Sequence, residues 1–250
     1  MQPVPQIPPN LISLHGEEER IRALSLAAIS ANAEQSEHLV MIYEAMQIVH
    51  AFTHDLHHRT EDELTLQLLG IRIFNTASGA LKLGLSGYYQ LAFHVARDLL
   101  ELTNLLDLFK DHPDKIGHWR SCTPKERKKH YEPRAVREHL KKRDGLDRDK
   151  IYRMFSQYAT HATYPGFRLI APRGNGNVGP FYDEKLLTAF VGELVKRLGF
   201  CALVYSTHFE DVSVPFFMHK GDYLGKLDRW RQTYLATSTS PKSGAAEAQD

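Results

Sequence analysis

The chain has 250 residues, enough for one large domain or two small ones with a substantial core. A formal net charge of +1, with 24% charged and 42% hydrophobic residues, is typical of a soluble globular protein and excludes a disordered or globally basic nucleic-acid-binding chain. Two cysteines, Cys122 and Cys201, are too few for a disulfide scaffold or a thiolate metal cluster, so we expect a cytoplasmic protein.

The beginning of the chain has the composition of an irregular segment. Its first ten residues contain four prolines and no basic stretch followed by an apolar run, so we expect neither a signal peptide nor a helix there. We assign residues 1–14 to a flexible arm, residues 15–237 to one helical domain and residues 238–250 to a disordered tail. Charged residues interrupt the most apolar stretch, so we expect no membrane span.

Hydrophobic periodicity divides most of the chain into helical segments. Residues 17–58 are rich in Ala, Leu, Glu and Met without Pro or Gly, which predicts one long helix or two helices end to end. Thr60 and Glu63 form a capping-box pattern before the next segment, and a break is predicted near Ser78 and Gly79. Further predicted helices cover residues 64–74, 81–112, 134–142, 151–162, 183–204 and 216–235.

One segment has the pattern of a small β-structure. Apolar residues flank the Gly-Asn-Gly-Asn run at residues 174–177, which is typical of a hairpin turn. The sequence therefore predicts an all-α fold, a bundle of about six to eight helices with a small β-hairpin insertion near residues 167–182.

The predicted helix after the break carries a cluster of charges. At about 100° per residue, one arc contains His94, Arg97, Asp98 and Glu101. Leucines bracket this arc, so we expect it to face the interior. The opposite side, which we expect to be solvated, carries Tyr89, Thr103 and Asp107. Arg97 and Glu101 then form either a buried ion pair between helices or part of a pocket, bonded to each other or to a shared partner from residues 152–161.

A second group of polar side chains lies near the end of a later predicted helix. It contains Tyr152, Arg153, Ser156, Tyr158 and His161. Because an imidazole titrates near neutral pH, His161 is a candidate general acid or base. The alternative is a capping histidine that fixes the turn into Pro165.

A histidine stripe consists of His50, His54, His57 and His58. Spacings of four and three residues place these side chains on one helix face, as metal ligands often are. One helix seldom supplies a closed site, and no cysteine or carboxylate motif elsewhere completes this one. We therefore expect no metal site and no cofactor, and interpret the stripe as a solvated or interhelical polar face.

The segment over residues 125–150 is basic. It contains eleven Lys and Arg residues against six Asp and Glu residues, a local balance of +5. Such a segment can contact phosphates. Its interspersed acids and few aromatic residues favour the alternative, a solvated connector.

Two spaced motifs together carry a family resemblance. Arg97 and Glu101 form an Arg-x3-Glu helix, and Tyr152, Ser156 and His161 form a later Tyr-x3-Ser-x4-His segment. This combination resembles a bacterial all-helical family of unknown function that is HEPN-like in architecture.

The resemblance covers residues 81–166 and implies an activity. HEPN-like proteins include metal-independent ribonucleases of toxin and phage-defence systems, in which an Arg-x4-6-His motif at a dimer interface cleaves RNA. Arg134 and His139 fit this spacing, although Ala135 stands where a polar residue usually follows the arginine. A homodimer that binds RNA is therefore implied.

Two functions remain open. In the enzyme, a histidine activates a ribose 2′-hydroxyl and an arginine stabilises the charge on the phosphorane. The candidate catalytic residues are His161, His139, Arg134, Arg97 and Glu101, and the candidate binding residues are Tyr152, Arg153, Ser156, Tyr158 and His94. In the alternative, the chain is a non-catalytic helical module that dimerises or binds a protein partner.

Overall fold

The computed structural model describes residues 8–210 and 212–235, and the regular secondary structure in these ranges is entirely helical. Ten α-helices are present: α1 (Pro9–Ser30), α2 (Ala33–His50), α3 (Glu61–Leu85), α4 (Tyr89–Asp111), α5 (Asp114–Ser121), α6 (Pro124–His130), α7 (Pro133–Asp144), α8 (Asp149–Phe155), α9 (Glu184–Ser206) and α10 (Val214–Tyr234). The first π-helix (Ala51–Asp55) continues α2, the second π-helix (Ser156–Thr160) continues α8, and a 3₁₀ helix covers Tyr164–Leu169. The predicted all-α class is confirmed.

The predicted β-hairpin near residues 167–182 is not formed. Thr163 caps a 3₁₀ turn by accepting a hydrogen bond from the backbone N–H of Gly166 at 3.3 Å. On the other side of the loop, the backbone N–H of Phe181 donates to the carbonyl of Gly87 at 3.4 Å. Asn177 also donates its backbone N–H to the carbonyl of Ile170 at 3.1 Å, but this bond closes a loop and no strand forms on either side of it.

The helix count exceeds the predicted six to eight because two short helices, α5 and α6, form between α4 and α7. α5 and α6 have only eight and seven residues, and α6 buries none of its side chains. Thr123 and Glu126 form a capping box that starts α6. Helices this short have too few apolar positions to produce a detectable period.

The break predicted at Ser78 and Gly79 is wrong. α3 continues through both residues, and the chain turns only after Leu85. Gly87 has a φ of +86°, where an L side chain is strained, and a Cβ atom there would collide with the backbone of Phe181. The turn between α3 and α4 therefore requires glycine at this position.

The two ends of the chain are only partly within the described ranges. α1 begins at Pro9, so residues 9–14 are helical where the sequence predicts a flexible arm, and proline suits a first helical turn. Residues 1–7 and the predicted tail over residues 238–250 lie outside the described residues. No helix within the described ranges has the length and hydropathy needed to cross a membrane.

α4 lies at the centre of the bundle. α3 and α9 pack against one side of it, α2 packs behind them against α9 and α3, and α10 covers α2. α7, α8 and the second π-helix lie against its other side. The side chains that α4 buries against α3 and α9 include Tyr89, Ala92, Ala96, Leu99, Thr103 and Leu106.

The two faces of α4 differ from those predicted at several positions, although Arg97 and Glu101 are half-buried and Leu108 is buried. Tyr89 and Thr103, expected in solvent, are buried, whereas His94 is exposed and Leu91 is 45% exposed. The small side chains of Ala92 and Ala96 allow a close approach that the charged arc could not allow. Asp98 of that arc instead accepts a hydrogen bond from Nη2 of Arg72 in α3 at 2.6 Å.

Two glycines test the close packing of α3 on α9. A Cβ atom at Gly84 would overlap the ring of Phe190, which is fully buried and cannot move away, so we expect Gly84→Ala to lower the free energy of unfolding by about 2–3 kcal/mol. The control is Gly192→Ala in α9, where a Cβ atom meets no neighbour within 4 Å. This variant should gain about 0.5–1 kcal/mol from helix propensity. Urea denaturation measures both, and equal effects would contradict the packing.

Candidate functional site

Arg97 and Glu101, on the outward side of α4, form the predicted hydrogen-bonded pair. Nη2 of Arg97 donates to Oε1 of Glu101 at 2.6 Å, and Nη1 donates to Oγ1 of Thr160 in the second π-helix at 3.1 Å. The two side chains are 19% and 23% exposed, so the pair is half-buried. The hydrogen bond to Thr160 therefore connects the second π-helix to α4.

Two guanidinium groups approach the ring of Tyr152 in α8. Cζ of Arg137 is 3.7 Å from the centroid of its ring, and Cζ of Arg97 is 5.0 Å from the same centroid. Nε of Arg137 also donates to Oδ1 of Asp149 at 2.6 Å, and this hydrogen bond holds the pKa of Asp149 below its usual value. Stacking on an aromatic ring suits a guanidinium that is nearly removed from water. Sequence reasoning missed Arg137 because no spacing distinguishes it within the basic segment.

The second π-helix is held by its backbone. The side chain of Gln90 in α4 donates to the carbonyl of Ala159, and the backbone N–H of His161 donates to the carbonyl of Ser156 at 2.9 Å. The hydroxyl of Ser156 is buried and has no hydrogen-bond partner among the described residues. The side chain of His161 is exposed at the point where the π-helix ends.

The structure does not bring Arg134 and His139 together. Five residues along a helix differ in direction by about 140°, so the two side chains leave different faces of α7. Arg134 is exposed and donates to Oε1 of Glu138 at 2.7 Å, while Nε2 of His139 lies 3.1 Å from Nε2 of His112. Burial, with smaller contributions from the positive charges of Lys115 and His112, lowers the pKa of His139.

A groove runs between α8 and α9, which both pack against α4 but make little contact with each other. We call it the α8/α9 groove. Its floor on α4 comprises Phe93, Leu100, Thr103 and Asn104. One wall comprises Ile151, Tyr152, Met154, Phe155, Tyr158 and Ala159, and the other comprises Glu193, Lys196, Arg197 and Phe200.

The groove contains two cavities with different linings. The first, of about 400 Å³, is lined by Phe93, Met154, Phe155, Tyr158, Ala159, Leu169 and Glu193 and is mainly apolar. The second, of about 240 Å³, adds the cationic side chains of Arg148, Lys196 and Arg197. Pockets that bind ligands are typically apolar with a few polar groups, so the larger cavity has the character of a binding site.

The predicted binding residues are divided between the groove and the open surface. Tyr152 and Tyr158 line the groove, whereas His94 and Arg153 are exposed and line neither cavity. Nε of Arg153 donates to the backbone carbonyl of Asp149 at 3.3 Å. No sequence pattern identifies the wall on α9. α8 and α9 lie close together only because both helices pack on α4.

Four of the five arginines of the basic segment are engaged in ion pairs. Arg143 bonds to Asp107 at 2.9 Å and also to Asp111 and Asp144, and Arg148 bonds to Asp144 at 2.7 Å. Hydrogen bonds from Arg148 and Arg143 strongly lower the pKa of Asp144. These pairs offset the charge of the arginines they involve, which favours the connector over a phosphate-binding surface in that part of the segment.

Two Arg–Glu pairs of identical spacing allow a controlled test of the site. Glu101→Gln should lower the free energy of unfolding by about 1 kcal/mol, because Arg97 is half-buried and loses a charged acceptor. Glu138→Gln removes the matching partner of Arg134 in an exposed pair and should change stability by less than about 0.5 kcal/mol. Chemical denaturation at one pH compares them. Equal losses would mean that the Arg97–Glu101 pair behaves as a surface pair.

Similarity to known proteins offers no guide to this groove or to the network beside it. The HEPN-like resemblance rests on the motifs around Arg97 and His161 alone. The chemistry of the site therefore has to come from its own residues. No protein-family model, curated protein or solved structure matches this chain.

Proposed function

We propose that the protein is a helical interaction module that binds an amphipathic helix of another protein in the α8/α9 groove. The observation that carries this proposal is the separation of α8 from α9 above α4, which leaves two cavities lined by apolar side chains of these helices. Helix-in-groove binding uses such a surface, because apolar anchors on one face of a helix fit between two others.

The dimensions suit a short helix. From Phe93 to Asn104 the floor extends along three turns of α4, about 16 Å at 1.5 Å per residue. A partner helix of three turns has anchors at positions i, i+3, i+4 and i+7, which match a groove of this length. Met154 is flexible and 42% exposed, so it can adapt its shape to different anchors.

The linings also specify the character of the partner. Phe93 and Met154 suit apolar anchors. At the other end Arg148 is paired with Asp144, and Lys196 and Arg197 are paired with Glu193, so the cations of that cavity do not select an acidic partner. The 3₁₀ helix that supplies Leu169 also carries Tyr164 and Phe167 in an exposed aromatic pair, with ring centroids 5.9 Å apart. Aromatic residues are enriched in protein interfaces.

The end of this chain lacks the side chains that would fill the groove. Residues 236–250 contain no aromatic residue and, apart from one proline, no apolar residue larger than alanine. A segment of this composition provides no anchor for a cavity lined by phenylalanines.

A peptide selection tests the proposal. A phage-displayed library of short helical peptides is selected against the wild-type protein, and the enriched peptides are measured by fluorescence anisotropy. We expect amphipathic sequences whose affinity falls at least tenfold in Met154→Glu, which places a charge in the apolar cavity. The control Phe217→Glu alters an equally apolar, exposed side chain of α10 that does not line the groove, and should leave the affinity unchanged. Peptides that bind both variants equally would contradict the proposal.

A metal-independent ribonuclease of the toxin or phage-defence type is the second candidate function. The observation that favours it is the contact between Arg97 and Thr160, the residue before the exposed His161. The guanidinium of Arg97 thus contacts the residue that precedes the candidate imidazole. Arg134 and His139 do not contribute to this candidate, because they face different partners.

Incubation of single-stranded and structured RNA in EDTA tests the second candidate. If the enzyme is correct, the wild type cleaves RNA and His161→Ala abolishes cleavage, because the proton acceptor is lost. His130→Ala removes another exposed histidine, distant in sequence, and should cleave normally. Absence of cleavage by the wild type would leave the interaction module as the function.

A further inference from the structure

The first π-helix changes the geometry of the histidine stripe. Its widened turn is closed by a hydrogen bond from the backbone N–H of Leu56 to the carbonyl of Ala51, five residues earlier, at 3.2 Å. In a regular α-helix, residues five apart diverge by about 140°. The extra residue in the π-turn brings Asp55 back to the face that carries His50 and His54, and π-turns of this kind often occur at functional sites.

Three potential ligand atoms consequently converge. Nδ1 of His54 lies 2.7 Å from Oδ1 of Asp55, and Nδ1 of His50 lies 3.8 Å from Oδ2 of Asp55. The rings of His50 and His54 stack with their centroids 5.0 Å apart, and one ligand atom of each of the three residues lies within 4.8 Å of the others. In a four-coordinate zinc site, ligand atoms about 2.0–2.1 Å from the ion lie about 3.3 Å apart. Small rotations of exposed side chains suffice to reach this arrangement.

We propose that His50, His54 and Asp55 form a surface site for a first-row divalent metal ion, with Zn²⁺ as the expected ion and water completing its coordination. Two imidazoles and one carboxylate suit Zn²⁺ better than Mg²⁺ or Ca²⁺, which prefer oxygen ligands. All three side chains are exposed, so an ion can enter without opening the bundle. The site is distinct from the α8/α9 groove and does not depend on the function proposed for it.

The chain offers a matched control within the same stripe. His58 is also exposed, yet it does not belong to the converging group. The two cysteines are buried, and Cys201 is 0% exposed, so thiolates do not compete for the ion in the folded protein. Substitutions at the exposed ligands leave the core intact, so the apo variants should melt at the wild-type temperature.

Calorimetric titration of the tag-free chain with ZnCl₂ tests the site. We expect one saturable Zn²⁺ site per chain, at least tenfold weaker in His54→Ala and in Asp55→Asn and within twofold of the wild type in His58→Ala. Excess Mg²⁺ should not displace Zn²⁺. Zn²⁺ should also raise the melting temperature of the wild type but not of His54→Ala.

Three results would overturn the proposal. The first is a wild type that takes up no stoichiometric Zn²⁺. The second is a loss of affinity in His58→Ala as large as that in His54→Ala, which would place the ion elsewhere on the stripe. The third is unchanged affinity in Asp55→Asn, which would reduce the site to two helical histidines.

Discussion

The rest of the structure depends on the close contact between α3 and α9, which is possible because α3 has glycine residues where the two helices meet. The ring of Phe190 occupies the space that a side chain at Gly84 would need, and the phenol of Tyr205 does the same at Gly70. With α3 and α9 fixed against each other, α4 can seat its small residues between them. Arg97 and Glu101 are then directed to the other side, where Arg97 bonds to Thr160 of the second π-helix, while Asp98 bonds to Arg72 of α3. The floor of the α8/α9 groove is the part of α4 that neither α8 nor α9 covers.

Both π-helices act at the ends of regular helices, and each redirects polar side chains. The first brings a carboxylate to two histidines. The second brings Thr160 to Arg97 while its backbone is held by Gln90. A π-turn has less favourable hydrogen-bond geometry than a turn of α-helix. Such turns are therefore rare, and they occur often at functional sites. The proposed metal site lies at the first π-helix, and the second π-helix forms part of one wall of the α8/α9 groove.

The sequence predicts the helical class and most helix positions, because periodicity and caps are local properties. Thr60 and Pro113 mark real boundaries, and α7 lies where the spacing predicts it. The faces of α4 could not be assigned, since leucines bracket the charged arc and only the packing partners decide which side is buried. The extra residue of a π-turn does not change the hydrophobic periodicity of the sequence. The sequence alone therefore does not place Asp55 beside the histidine stripe. The groove joins α8 to α9 through α4 alone, which no spacing along the chain encodes.

The contacts of Arg137 and Arg97 with the ring of Tyr152 have a consequence for binding in the proposed groove. Together with the bond from Arg97 to Thr160, this stacking anchors α8 and its π-helical extension at both ends. The wall is therefore ordered before any encounter, and the entropy of arranging it is lost during folding and not during association. A bound helix would be recognised by a rigid receptor, in which only flexible side chains such as Met154 adjust. Selectivity among partners would then arise from the shape of the anchors.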